Sequence, residues 1–445
     1  MKLKKLGSAT VLIEVNGIKI LCDPWLTDGI YYGSWFNFPP ISINQNELDD
    51  IDFIYVSHIH PDHFDPKTME LLDKNTPVLI HQYHNKFLKA NIERLGFNVV
   101  EIENRVKFDL GNGAHISIYA ADNCDPSVCG YMFGCVPPEV NGSLQIDSLC
   151  VISNEEHILV NTNDCVYEIA KETLDVLKSD YPVIDFALVG YSSASLYPQC
   201  MIDYNEDQMK EGKDKVVTRA LDSGLNILKK LKPKNFMPFA GTYVMGGSEY
   251  KKNYNRPTVE LQDAVAYFEK DLFLKTSNVK GILLNNDEYF DIETRTQSKP
   301  YVEIDIQERN KYIKNVLSKS PYAFEDLEQP SSSELIELFD KSMTRLLKKQ
   351  KELNLFPKVD LVFDLPEDQY ISIDLSKTNF KKLSSIQTLE QYVRFKLDPR
   401  LLKMALSGPR LANWNNIEIS GLLGFSRKPD EYRMDIHILL NSLHI

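Results

Sequence analysis

The sequence predicts an α/β fold followed by a smaller α+β domain, and three observations carry that expectation. Apolar strand-like runs recur through residues 1–300 with helical patterns between them, as sheets covered by helices require. Two early apolar runs are joined by Asn16-Gly17, a favoured two-residue hairpin turn. A dense polar cluster, Ser57-His58-Ile59-His60-Pro61-Asp62-His63, then follows an apolar run, where a strand end presents its side chains together.

In order along the chain, Thr10 to Val15 and Ile18 to Cys22 form the hairpin, and the second run leads into Asp23-Pro24-Trp25. A Gly- and aromatic-rich loop follows, from Gly29 to Pro40. Phe53 to Val56, Pro77 to Ile80, Ile116 to Tyr119, His157 to Val160 and Phe186 to Val189 read as further strands. Helices are expected over 66–72, 86–95, 168–177 and 207–231, the last with Val217, Leu221, Leu225 and Leu228 on helical spacing. The polar stretch Thr294 to Pro300 reads as a linker between residues 1–300 and a domain at 305–445. In the latter, Ser331 to Glu334 starts a helix whose stripe is Leu335, Ile336, Phe339, Met343 and Leu346. Val359, Leu361 and Phe363 alternate, as do Ile371, Ile373 and Leu375, and 397–406 is helical.

The composition bounds the function. With 445 residues and 43% hydrophobic content there is material for a large core in two domains. A formal net charge of −13 argues against general nucleic-acid binding. No apolar run has the length of a membrane span, and no signal-peptide core follows the basic N-terminus. The seven cysteines lack the framework of a small secreted domain, so a cytoplasmic protein with reduced thiols is expected. No Cys-x-His pair is present, so no Rieske cluster is expected within these residues, and no phosphate-cradling glycine loop is visible.

His58 and His60, two apart on an extended chain, point the same way and can share one metal. Asp62 and His63 follow Pro61, which turns the chain, and can face a second metal or the first metal's water. Asp164, just past a strand, is a further carboxylate ligand or a helix N-cap. Asp122 and Cys124 lie past another strand, as ligands or as an Asx-type turn. Asp23 either orients a ligand imidazole or merely turns the chain. Trp25, Tyr31, Trp35, His84 and Phe239 are candidates for a substrate pocket, with the aromatic loop as either its wall or a buried plug.

The His58-x-His60-x-Asp62-His63 segment after a strand resembles the metallo-β-lactamase superfamily signature, and the hairpin ending in Asp23-Pro24 resembles the start of that superfamily's αββα sandwich. The likeness is nearer to the CMP-N-acetylneuraminate hydroxylase branch. Ile20 to Trp25, Ile54 to His58, His157 to Cys165, Leu231 to Gly241, Trp414 and Arg427 to Tyr432 are similar to that family's segments. Three departures stand beside it. These residues carry no Rieske domain, Asn123-Cys124 stands where the family has a histidine, and Phe239 stands where many superfamily hydrolases place a late one. The resemblance therefore implies an altered site in which His58, His60 and Asp164 remain, with one or two ions.

Two histidines and a carboxylate suit an Fe centre that activates O₂, hydroxylating a sugar or nucleotide-sugar with electrons from a separate Rieske or ferredoxin donor. The same set suits Zn or Mn in a hydrolase of a phosphoester, ester or lactone, with Asp62 as the general base that takes a proton from a metal-bound water to leave the hydroxide nucleophile. A third expectation is a non-catalytic binding module with a decayed site.

Overall fold

A computed structural model of the chain describes residues 1–121, 147–194 and 196–445. Asp122 and Cys124 lie outside the described residues.

The hairpin forms as its turn dictates. Asn16 and Gly17 both take positive φ, 51° and 82°, the pairing that matches the twist of the flanking strands Val11–Val15 and Ile18–Cys22. Among the described residues these strands belong to an eight-stranded sheet, where Ile18–Cys22, Phe53–Tyr55, Val78–His81 and Val99–Ile102 run parallel. A seven-stranded sheet contains Ala114–Ala120, Ser148–Ser153, Ile158–Asn161, Phe186–Gly190 and Asn235–Phe239.

Strand alternation builds the layers. In the first sheet Val11, Ile13, Ile20, Tyr55 and Leu79 face the second sheet's Ile116, Ile118, Ile152, Phe186 and Leu188 in one core. The intervening Leu12, Leu21, Ile54 and Ile80 turn outward and pack with Met69, Leu88 and Ile92 of the helices Pro66–Glu70 and Phe87–Arg94. The outer face of the second sheet is covered by Tyr167–Asp180, Glu206–Leu231 and Leu261–Lys270 through Leu174, Leu221, Leu228 and Phe268. Helices therefore sandwich two face-to-face sheets, the αββα architecture.

Further along, a five-stranded sheet and the helices Ser332–Leu353, Pro399–Ser407, Trp414–Ser420 and Met434–Leu440 share a separate core around Phe339, Phe363, Phe395 and Trp414. This is the smaller α+β part. It contains Asn379–Leu383, Tyr392–Leu397 and Leu423–Lys428 as strands besides the two read from alternation. The first is an edge strand with largely exposed side chains, and so carries little apolar pattern.

Two sequence expectations change. The polar stretch 294–300 is not a plain linker, because Thr296–Gln297 pairs with Tyr289–Asp291 at the edge of the large sheet. Both of its residues are exposed, which is why the composition reads as a loop. The strand Ser148–Ser153, buried throughout, was not anticipated, since a short run buried on both faces has no alternation to reveal it.

Candidate metal centre

One edge of the sandwich gathers the polar residues. Asp23 follows Ile18–Cys22, His58 follows Phe53–Tyr55, and Asp164 follows Ile158–Asn161. Ser148–Ser153 runs antiparallel to Ile158–Asn161, so Asp147, just before it, reaches the same edge. Ligand sites of α/β sheets collect at such strand ends.

The histidine loop is fixed at both ends. Asp23 N donates to Tyr55 O at 2.8 Å, locking the two strand ends together. His63 N and Phe64 N both donate to His60 O, closing a tight turn. Asp65 then caps the helix Pro66–Glu70 by accepting from Lys67 N and Thr68 N.

Asp23 is fully buried and is saturated by this loop. It accepts from Ser57 N at 2.7 Å, Ser57 Oγ at 2.8 Å and His63 Nδ1 at 2.9 Å. The contact to His63 leaves that ring's Nε2 aimed into the cluster. Burial pushes the Asp23 carboxyl up, and His63 and Ser57 oppose that shift in part.

Ser57 Oγ, its proton given to Asp23, lies 3.0 Å from His58 Nδ1 and can accept from it. At the other ring, His60 Nε2 donates to Asn415 Oδ1 at 2.8 Å, with the tautomers assigned from these partners. The assignment leaves the lone pairs of His58 Nε2 and His60 Nδ1 facing each other across 2.9 Å. Two facing lone pairs repel unless a cation lies with them. Burial, and then the neighbouring imidazoles His63 and His60, hold His58 well below its usual range. Burial lowers His60 too, against Asp62 and Asn415, so both rings are in the neutral, metal-ligating form.

The carboxylates complete two groups. His58, His63 and Asp164 offer ligand atoms within 4.8 Å of one another, and so do His58, His60 and Asp147. His63 Nε2, sealed from solvent, is 3.2 Å from Asp164 Oδ1. Asp147 Oδ1 is likewise sealed and without a hydrogen-bond partner, 3.6 Å from His58 Nδ1. Burial, then Asp164, pushes the Asp147 carboxyl up to about 7. Burial pulls His63 down, but Asp164, Asp23 and Asp62 more than reverse it, and the ring sits well above its usual range. Burial raises Asp164, and His63 and His60 bring it below its ordinary value. A sealed, unbonded carboxylate oxygen beside imidazole nitrogens and a second carboxylate is a donor set that a cation would satisfy. The N/O donor set fits Fe, Zn or Mn.

The expected set therefore regroups. Asp164 pairs with His63 rather than completing a triad with His60, because the turn at Pro61 swings His63 across to that strand end. Asp147, unread in the sequence, supplies the second carboxylate. Asp62 belongs to neither group; its Oδ1 accepts from Tyr31 Oη at 2.6 Å and its Oδ2 is 3.6 Å from His63 Nε2.

The expected pocket residues divide. Tyr31 touches the cluster through Asp62. Trp25 and Trp35 are buried with Tyr31 and Tyr243 in an aromatic cluster. Phe239 points into the core between the sheets and His84 is exposed, so neither lines the cluster. Among the described residues, no helix is long and apolar enough to cross a membrane.

Comparison with known proteins places this geometry. Residues 2–122 match Lactamase_B_3, the beta-lactamase superfamily domain. A Mycolicibacterium smegmatis protein described as a Rieske 2Fe-2S iron-sulfur protein is 34% identical over 201 residues, 44% of this chain and 35% of that one. Cytidine monophosphate-N-acetylneuraminic acid hydroxylase of Danio rerio is 24% identical over 243 residues, 53% of this chain and 37% of that one. The chain thus spans little more than a third of the length of these two relatives. Among solved structures, an isothiocyanate hydrolase from Delia radicum gut bacteria is similar over 65% of this chain and 99% of its own, with 16% identity and a TM-score of 0.44. Residues 2–122 thus match a beta-lactamase superfamily domain, and they supply much of the first sheet and the start of the second in the αββα sandwich.

Proposed function

We propose that the cluster at His58 holds iron, as one or two ions, and that the protein is an oxygenase hydroxylating a sugar or nucleotide-sugar. The observation that carries a metal-dependent reaction is the pair of ligand groups sharing His58, with Asp147 Oδ1 sealed and without a hydrogen-bond partner. The relatives described as a Rieske protein and as a sugar-nucleotide hydroxylase support oxygen chemistry. Iron held by such N/O ligands supplies O₂ activation. The chain's own residues would do the rest. Asp23 and Ser57 orient His63, Asn415 orients His60, and Tyr31 holds Asp62 beside the ligands, where it can accept a proton. Electrons would come from a separate Rieske or ferredoxin protein. Cys22, Cys150, Cys165 and Cys200, free and buried, support a reducing, cytoplasmic setting.

The test is metal analysis of protein prepared without oxygen, followed by oxygen uptake with a reductant and a small iron–sulfur donor. Bound iron with substrate-dependent uptake is the expected result. Protein that retains only zinc and consumes no oxygen would overturn the oxygenase.

One observation favours a second reading, a metal-dependent hydrolase of a phosphoester, ester or lactone. Asp62 is held by Tyr31 and kept out of both ligand groups, the placing a general base needs. Turnover of a phosphodiester and lactone panel that persists without oxygen and vanishes in His60→Ala would establish it.

A further inference from the structure

Beyond the histidine cluster, the segment after the strand Tyr243–Met245 buries a charge that the fold leaves unanswered. Arg256 is 7% exposed, and its Nε and Nη1 are sealed from solvent with no hydrogen-bond partner. Its backbone is tied on both sides, Arg256 N donating to Asn253 O and Thr258 N donating to Arg256 O. The guanidinium carbon lies 4.3 Å over the Tyr243 ring. The opposite face of that ring stacks on Trp35 at 3.4 Å, nearly parallel at 7°.

The neighbouring acid does not answer the charge. Glu260 is engaged by both terminal nitrogens of Arg309, at 2.9 and 2.7 Å. Lys213, half-buried beside them, places its ammonium against Tyr254 O and adds a third positive charge. Arg309 and Lys213 thus add positive charge beside Arg256, in a chain whose net charge is −13. An aromatic face offsets part of the burial of a guanidinium, but it accepts none of the in-plane N–H bonds. A planar or tetrahedral oxyanion on one edge of the guanidinium would pair Nη2 with either Nε or Nη1 in two parallel hydrogen bonds.

We infer that Arg256 is an oxyanion-binding site that holds the carboxylate or phosphate group of a small molecule, with the Tyr243 ring as its floor. Arg309 and Lys213 enhance the positive field without themselves being sealed in. The site is separate from the His58 cluster, to which it is joined by the stack Tyr243, Trp35 and Tyr31, the last ending on Asp62. It needs no metal and does not depend on which reaction the histidine cluster performs.

The test is a titration of metal-free, desalted protein with inorganic phosphate and, separately, acetate, at an ionic strength held constant with chloride. Calorimetry and thermal unfolding are read together. We expect saturable binding and a rise in unfolding temperature over chloride alone, because a ligand that binds only the folded state stabilises it by mass action. Arg256→Met is expected to bind at least about tenfold more weakly, the loss of a charge-assisted hydrogen bond, and to show no anion-dependent rise. Arg256→Lys, which keeps the charge without the fork, is expected to fall between the two and serves if the methionine variant does not fold. A response to phosphate alone assigns a phosphoryl ligand, and a response to acetate alone a carboxylate. Wild-type protein with no saturable response beyond chloride, or an Arg256→Met protein that responds like wild type, would overturn the site.

Discussion

His60 Nε2 is hydrogen-bonded at 2.8 Å to Asn415 Oδ1, a residue 355 positions further along the chain in the C-terminal α+β part. The contact joins the helix Trp414–Ser420 to the histidine loop of the sandwich and selects which ring nitrogen of His60 faces His58. Asn413 caps that helix by accepting from Asn416 N, and Asn413 N in turn donates to Tyr32 Oη of the aromatic loop. The C-terminal part is therefore a structural member of the site rather than an appendage.

Removing that contact should loosen metal without unfolding the protein. Asn415→Ala frees the His60 ring to rotate and to change tautomer, and partners of this kind are worth about 10- to 100-fold in metal affinity. A chelator competition on wild type and Asn415→Ala, with circular dichroism to confirm equal folding, should give a loss in that range. Equal affinities would mean that His60 is not a ligand, or that its tautomer is set elsewhere.

The histidine loop was legible in the sequence because its chemistry is local. Three imidazoles and a carboxylate within His58 to His63 need only a strand end to bring them together. The hairpin was legible for the same reason, through Asn16-Gly17. Asp147 and Asn415 were not. Asp147 reaches the site only because Ser148–Ser153 runs antiparallel to Ile158–Asn161, a pairing that no single run of residues announces. Recognising Leu149 to Ile152 as a buried strand would have supplied the signal. Asn415 arrives by the docking of one core on another, and amide residues in the first turn of a helix are too common to mark it. Alternation along Asn235–Phe239 turns Phe239 into the core between the sheets, a placing that likeness to other segments does not reveal.

His58 belongs to both ligand groups, and this sets an order among substitutions. His58→Ala should abolish metal retention, whereas Asp147→Asn and Asp164→Asn, each weakening one group, should each retain a part of it. Elemental analysis after anaerobic loading and desalting measures the ratio. Equal losses in the three variants would argue for a single ion held by all of these residues together. Retention in His58→Ala would remove the cluster as the metal centre.

Tyr31 Oη donates to Asp62 Oδ1 at 2.6 Å, while the Tyr31 ring rests on Trp35 with centroids 4.6 Å apart. Tyr31→Phe keeps the ring and deletes the hydroxyl alone. A hydrogen bond to a charged group is worth about 1.5–3 kcal/mol, so a carboxylate acting in the reaction should lose about 10- to 100-fold in turnover. Metal content should not change, since Asp62 lies outside both groups. A variant that turns over like wild type would leave Asp62 a structural role only.

Lys5 offers a prediction about stability that is independent of the metal. Its side chain is buried at 6% exposure, its ammonium donating to Asn286 Oδ1 at 3.0 Å, and burial lowers it from 10.5 to about 8. Between about pH 8 and 10.5 the unfolded chain therefore holds a proton that the folded chain has released, and stability must rise with pH across that window. Below about pH 8 both states carry the charge and the full penalty remains, about 3 kcal/mol at about 1.4 kcal/mol per pH unit. Lys5→Met removes the charge but keeps the apolar stem. Asn286, which retains solvent contact, can hydrogen-bond to water in its place. Denaturant unfolding of Lys5→Met at pH 7 should show a gain of about 1–3 kcal/mol over wild type, shrinking as the pH approaches 10. A variant less stable than wild type at pH 7 would mean that the bond to Asn286 outweighs the burial of the charge.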